Sequence, residues 1–208
     1  MFLVIDTSTE QGVIAVFDNT QLLKEVHLSH GLRNSRSLLP ELEKLFQELD
    51  LRPQDLDFVA VGIGPGSYTG VRVGVVVAKM IHMTCRIPLV GVSSLKAFVP
   101  SNDGRFAAVL DARIAGNYYL CGDKKGDKVS WLGEPKVCEH LPDVSCFVTS
   151  HEKLKQKKSR DGEWVVMPPS GSALGLEALK EFKLGNIAHD GHLDILYLRK
   201  TQAERELK

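Results

Sequence analysis

The sequence predicts an α/β protein made of two units of similar build, and three observations carry that prediction. The first is a set of short β-rich runs at the N-terminus, "FLVID", "GVIAVF" and "QLLKEVHL". The second is a change of hydrophobic period from strand-like to helical between residues 35 and 49. The third is the return of strand-like runs after the polar, turn-forming stretch "VPSNDGR". The order strands, helix, strand, helix, strand, then strands again, fits two α/β units joined near residue 100. At 208 residues with 43% hydrophobic content, the chain can bury a proper core.

The elements follow in order. Asp18-Asn19 is a turn signal between the second and third runs, so the chain opens as an antiparallel meander. From Ser35 to Leu49, Leu38, Leu39, Leu42, Leu45, Phe46 and Leu49 recur at helical spacing, with Glu and Lys on the other face. Pro40 is tolerable in a first helical turn and kinks the helix otherwise. "DFVAVGIG" is a continuous apolar run, the pattern of a buried parallel strand. A glycine-rich segment and a second helix ending near "TCRIP" come next, then the strand "PLVGV", with Ser93 or Ser94 placed to cap a short helix through Phe98. Beyond the boundary, "RFAAVLDA" and "NYYLCG" read as a hairpin, "CFVTS" as a strand, and Ser172 to Phe182 as a helix.

Composition excludes several classes. Lys plus Arg and Asp plus Glu balance at 26 each, so no global field draws the chain onto nucleic acid or a membrane surface. The N-terminus has neither a basic region nor a small-residue cleavage site, so it is not a signal peptide. The longest apolar stretch is interrupted by Arg72 and Lys79, far short of a membrane span. The chain is expected in the cytosol. Cys85, Cys121, Cys138 and Cys146 lack any Cys-x-x-Cys spacing and read as reduced, core-filling thiols.

The segment "GIGPGSYTGVRVG" (62–74) poses the central question. A Walker A loop needs a Lys-Ser/Thr pair that is absent here, and a dinucleotide fingerprint fails at Ser67 or Thr69, depending on the starting glycine. What remains is Gly70, Gly74 and Ala78 at four-residue spacing, a small-residue stripe along which another helix can approach closely. Val71, Val73, Val75, Val76, Val77, Met80 and Ile81 cover most of the remaining circumference, so this helix is buried on more than one side. One side is its own sheet. The other is covered by a second subunit or by another part of the same chain.

"GPGSYTGVRVG" closely resembles the Gly-Pro-Gly-Ser-Phe/Tyr-Thr-Gly-Leu/Val-Arg-Ile/Val-Gly signature of the TsaB (YeaZ) family, through Gly64, Pro65, Gly66, Ser67, Tyr68, Thr69, Gly70, Val71 and Arg72. "IDTST" at the start, "LLP" (38–40), "VLDAR" (109–113) and "YLR" (197–199) are similar to its other landmarks, in the same order. Two departures stand out: Asn34 precedes Ser35 where the family usually has His, and Ile195 replaces a common proline. The match is dense over the first half and sparse after Arg113, and residues 115–170 carry no landmark of the signature.

The resemblance implies two ribonuclease-H-like lobes with mixed sheets, of the actin, sugar-kinase and heat-shock ATPase superfamily. Residues 1–100 would form the lobe that carries partner-binding helices, and 101–208 a smaller, divergent lobe. It implies a subunit with no catalytic residues, metal or cofactor of its own. That subunit would pair with a TsaD-like catalytic subunit and a TsaE-like ATPase to place a threonylcarbamoyl group on the tRNA adenosine next to the anticodon. tRNA would then be met indirectly, and ATP or ADP would belong at the interface of the complex. The implied contact is a bundle of the first two helices of each subunit, carried over to Leu38, Leu42 and Leu45 on the first helix and Gly70, Val71, Gly74, Val75 and Ala78 on the second. A homodimer through the same surface stays open.

Other candidates have competing readings. Asp6, Ser8 and Thr9 stand where active members of the superfamily meet metal-bound phosphate, so they are either a vestigial nucleotide site or a strand-ending Asx turn. A stand-alone ATPase or small-molecule kinase would use the same residues. "PSGSALG" (169–175) is a weak second phosphate-loop candidate. His27 with His30 and His189 with His192 are pairs that a metallopeptidase could recruit, but neither comes with a third ligand on a helix. Lys153, Lys155, Lys157, Lys158 and Arg160 form a basic run without an aromatic partner, a solvated loop or a tRNA-phosphate contact. Asp111 and Arg113 read as an ion pair or an anchor of the second half's first hairpin; as a catalytic pair they have no nucleophile motif beside them.

Overall fold

The computed structural model describes residues 1–29, 34–113, 116–157, 161–188 and 191–198, without the side chains of 34, 35 and 157. The first half contains β1 (Phe2–Asp6), β2 (Val13–Asp18), β3 (Gln21–His27), α1 (Asn34–Glu48), β4 (Phe58–Gly62), α2 (Tyr68–Cys85) and β5 (Leu89–Val92). The second contains β6 (Gly104–Asp111), β7 (Asn117–Lys125), β8 (Lys128–Cys138), β9 (Cys146–Thr149), α3 (Glu152–Lys157), β10 (Glu163–Val166) and α4 (Gly171–Lys183). Short 3-10 turns sit at Pro53–Asp55 and Ser94–Ala97.

The two sheets have the same plan. The first runs β3-β2-β1-β4-β5 and the second β10-β9-β6-β7-β8. In each, an antiparallel meander supplies three strands and two parallel strands extend it from the meander's first strand. The opening meander and the two similar units thus match the expectation from sequence. The helices differ between halves. The first half places the 15-residue α1 and the 18-residue α2 around β4, whereas the second has only loop between β8 and β9 and the six-residue α3 after β9.

Alternation along the strands divides the core. Leu3, Ile5, Ile14, Val16, Val59 and Val61 face α1 and α2. Phe2, Val4, Phe17 and Phe58 face the opposite way, toward Leu174 and Ala178 of α4 and toward Phe106 and Leu110 of the second sheet. There Phe17, Phe2, Phe58 and Phe182 stack in series, with ring centroids 4.9, 4.4 and 4.2 Å apart.

α4 therefore leaves the second sheet and returns to the first. The chain crosses between sheets near residue 100, but a lobe running from 101 to 208 does not describe α4 and the segments 184–188 and 191–198, which pack on the first sheet. The sequence pattern does not mark β8, β10, α3 or the 3-10 turn at Pro53–Asp55. Pro40 lies in the second turn of α1, not the first. Ser93 occupies the cap position of its 3-10 turn, yet its side chain makes no capping bond. Among the described residues, no helix is long and apolar enough to cross a membrane.

Candidate protein interface

The glycine-rich segment joins β4 to α2 and is held by the chain's own backbone. Gly64, at φ +95° and preceding a cis peptide bond to Pro65, donates its N–H to Ser94 Oγ (3.1 Å) and accepts from Ser94 N–H (2.8 Å). Ser67 donates its N–H to Ser8 O (2.7 Å) and accepts the Gly70 N–H (3.3 Å), which makes it the N-cap of α2. A Cβ on Gly66 would overlap Ser8, and one on Gly70 would overlap the Thr7 carbonyl oxygen. At Gly74 it would lie 2.6 Å from Thr7 Oγ1 and 3.5 Å from Val61. Thr7 Oγ1 in turn donates to Gly70 O at 2.7 Å.

Helix approach to another helix was the wrong reason for these glycines. They let the first three turns of α2 lie directly on the end of β1. Leu38, Leu42, Leu45, Val71, Val75 and Ala78 are likewise buried within this single chain, so the expected contact residues are core residues of the first sheet. The outward face of α2 is one register away. Tyr68 (49% exposed), Val76 (55%), Met80 (57%) and Met83 (73%) line it, together with exposed Arg72, and Leu39 on α1 is 56% exposed. Positions 68, 72, 76, 80 and 83 share one helical face. Two methionines on that face were the signal available in the sequence, because soft, adaptable side chains suit protein contacts.

At the N-terminal end of this face, Arg72 is organised by two tyrosines. Its guanidinium lies 3.8 Å from the centre of the Tyr68 ring, and Nε donates to Tyr197 Oη at 2.9 Å. Tyr197 arrives on the C-terminal segment, which runs back over the first sheet: Ala188 N–H bonds to Leu89 O (2.8 Å) and Leu196 N–H to Ile63 O (2.9 Å). Leu193 and Ile195 pack into the core beneath. Arg199 of the "YLR" landmark and residues 30–33 lie outside the described residues, as do the Asn34 and Ser35 side chains.

Asp6, Ser8 and Thr9 are buried and engaged locally. Asp6 Oδ1 accepts the Ser8 N–H (2.7 Å), an Asx turn, and Thr9 Oγ1 donates to Gln11 O (2.8 Å). Burial pushes the Asp6 carboxyl above its ordinary value, with Ser8 and Ser94 pulling partly the other way, and Oδ2 has no hydrogen-bond partner. Gly62 lies directly beneath that oxygen, where a Cβ would overlap it. "PSGSALG" is a packing element. Ser170 caps α4 by accepting the Ala173 N–H (3.1 Å), Ser172 N–H meets Glu25 Oε2 (3.0 Å), and Gly171 and Gly175 lie against Ala15 and Phe17.

The remaining candidates are dispersed. Asp111 bonds through Oδ1 to the Arg113 backbone N–H (2.7 Å), and its own N–H reaches His151 Nδ1 (3.4 Å). Burial lowers the His151 pKa, against the opposing charges of Asp111 and Glu10. His27 pairs with Glu25 (3.2 Å), and His30 and His189 lie outside the described residues. No group of three His, Cys, Asp or Glu among the described residues could hold a metal ion. Lys153 and Lys155 are exposed on α3, while Lys158 and Arg160 also lie outside the description. All four thiols are free, and burial raises their pKa values.

The chain is similar in sequence and fold to known proteins. A family model described as TsaD, tRNA N6-adenosine threonylcarbamoyltransferase, matches residues 31–130, the stretch that includes α1 and α2. The tRNA threonylcarbamoyladenosine biosynthesis protein TsaB of Escherichia coli (strain K12) is 28% identical over 99% of this chain and 97% of its own length. That of Bacillus subtilis (strain 168) is 36% identical over 53% of this chain and 50% of its own. Among solved structures, YeaZ from Pseudomonas aeruginosa superposes with a TM-score of 0.83 at 22% identity, covering 95% of this chain and 99% of that one.

Proposed function

We propose that the chain is a member of the TsaB (YeaZ) family of tRNA threonylcarbamoyladenosine biosynthesis proteins, to which it is similar over nearly its whole length, and that it acts as a non-catalytic subunit that binds and activates a TsaD-like transferase. The observation that carries this reading is the outward face of α2. Val76, Met80 and Met83 expose apolar side chains on a helix whose other face is fully committed to the core. Exposed apolar residues in line mark a surface that another protein covers. The partner is itself related to this chain over the segment that carries α1 and α2, since the transferase model matches residues 31–130. Two related folds can thus meet through corresponding helices.

Catalysis in this reading belongs to the transferase subunit, and a TsaE-like ATPase joins the pair. Adenine nucleotide belongs at the joint surface of the complex, because Asp6, Ser8 and Thr9 are closed into a buried turn. tRNA is met through the assembly.

Sedimentation velocity of the chain, alone and mixed with the TsaD-like subunit of the same cell, tests the reading. A heavier mixed species that forms with wild type and is lost in Met80→Asp is the expected result. Association that Met80→Asp leaves intact moves the contact off α2. A self-associated species that the transferase subunit does not displace makes the face a homodimer contact.

A further inference from the structure

Arg72 is the one charged side chain on the outward line Tyr68, Arg72, Val76, Met80, Met83, and two aromatic side chains constrain it. Tyr68 covers one face of the guanidinium at 3.8 Å, and Tyr197, 125 residues away in the chain, accepts from Nε. These two contacts hold the guanidinium from one ring face and at Nε, and among the described residues neither Nη group has a hydrogen-bond partner. Among the described residues no carboxylate pairs with Arg72. A rigid, unpaired guanidinium beside an apolar surface is built to receive a planar anion through two parallel hydrogen bonds.

We propose that Arg72, held between Tyr68 and Tyr197, anchors a carboxylate side chain of the transferase subunit that docks along α2; this rests on the reading of the α2 face given above. A protein carboxylate fits better than a nucleic-acid phosphate for two reasons. The site continues directly into Val76 and Met80, one and two turns along the same face, and exposed aliphatic and thioether groups are completed by protein, not by a phosphate backbone. The chain is also electrically balanced, with 26 cationic and 26 anionic side chains, so it lacks the field that concentrates polyanions. Arginine and tyrosine clustered at one end of an apolar patch are the residue types that dominate binding energy at protein contacts.

The test is calorimetric titration of the full chain into the TsaD-like subunit at several salt concentrations, with Arg72→Gln, Arg72→Lys and Tyr197→Phe. Arg72→Gln is expected to weaken binding about tenfold or more and to flatten its salt dependence. Arg72→Lys keeps the salt dependence but loses most of that affinity, because a point charge replaces the planar fork. Tyr197→Phe frees the guanidinium to rotate and weakens binding by about threefold with the salt slope unchanged. Thermal melts of the three variants that match wild type separate these losses from misfolding. Equal affinity and salt slope for wild type and Arg72→Gln overturns the proposal while the docking face stands. No association of wild type at any salt overturns both. Loss of tRNA binding by the assembled complex, with subunit affinity unchanged, makes the ligand a phosphate and overturns the carboxylate assignment.

Discussion

The two faces of α2 use the same spacing for opposite purposes. On the inner face, Gly70, Gly74 and Ala78 recur every fourth residue so that the helix can lie on Thr7, Ile5 and Val61. On the outer face, Tyr68, Arg72, Val76 and Met80 also recur every fourth residue, with large side chains left uncovered. The inner face spends its side-chain volume to bring two backbones together. The outer face keeps volume that only another molecule can bury. A small-residue stripe therefore says that something approaches closely, and does not say whether that neighbour is the chain's own strand or a second protein.

Substitutions separate the faces most sharply at Gly74. An arginine there meets Thr7, Val61 and Ile5 within the core, and chemical denaturation should show a loss of about 4 kcal/mol or more. Loss of partner binding by that variant would therefore report unfolding. Gly70→Ala is next. Its methyl group would overlap a backbone carbonyl, which cannot rotate away, and denaturation should show a loss of about 2–3 kcal/mol.

The third substitution probes the strand end beneath the inner face. Burial raises the Asp6 carboxyl, so the native state holds that proton to higher pH than the unfolded chain does. The group's contribution is complete below the ordinary carboxylate value of 3.8 and is lost as pH rises through the native value. Asp6→Asn removes that loss while keeping the oxygen that accepts the Ser8 N–H. At pH 7 the variant should melt about 3 °C or more above wild type, with the gap closing as the pH falls toward 4. An equal melting temperature across that range would mean that the carboxyl titrates normally.

The smallest effect on stability belongs to the outer face. Met80→Ser should leave denaturation within about 0.5 kcal/mol of wild type while reducing affinity for the transferase subunit about tenfold or more. A large stability loss there would erase the contrast between the faces.

Much of the first half was legible because its pattern is strong. Apolar runs bounded by turn residues mark β1 to β5, and periodicity marks α1 to within a residue at each end and the end of α2. The second half was harder for physical reasons. β8 is an edge strand that alternates over Lys128–Leu132 and loses that pattern at Gly133, with Pro135 close behind, so no continuous period-2 run marks it in the sequence. β10 has four residues and α3 six, too short for a period to register.

The candidate site divides along a similar line. Its helix, its signature and its family resemblance were readable from residues 62–74 and the ordered landmarks, because covalent order and local spacing carry that information. Which face of α2 is inside was not readable, since nearly every position of the helix is apolar or small and the period allows more than one register.

The sequence by itself determined that this is an α/β chain of two similar units, that the segment 64–74 cannot hold phosphate by a known loop motif, and that it resembles one family. Only the tertiary structure decided that the glycines serve β1, that α4 returns to the first sheet, that Asp6 is sealed into a turn, and that Tyr197 holds Arg72 across 125 residues. Local geometry follows from neighbours in the chain. Burial and long-range pairing depend on the simultaneous packing of both sheets, which no single stretch of residues specifies.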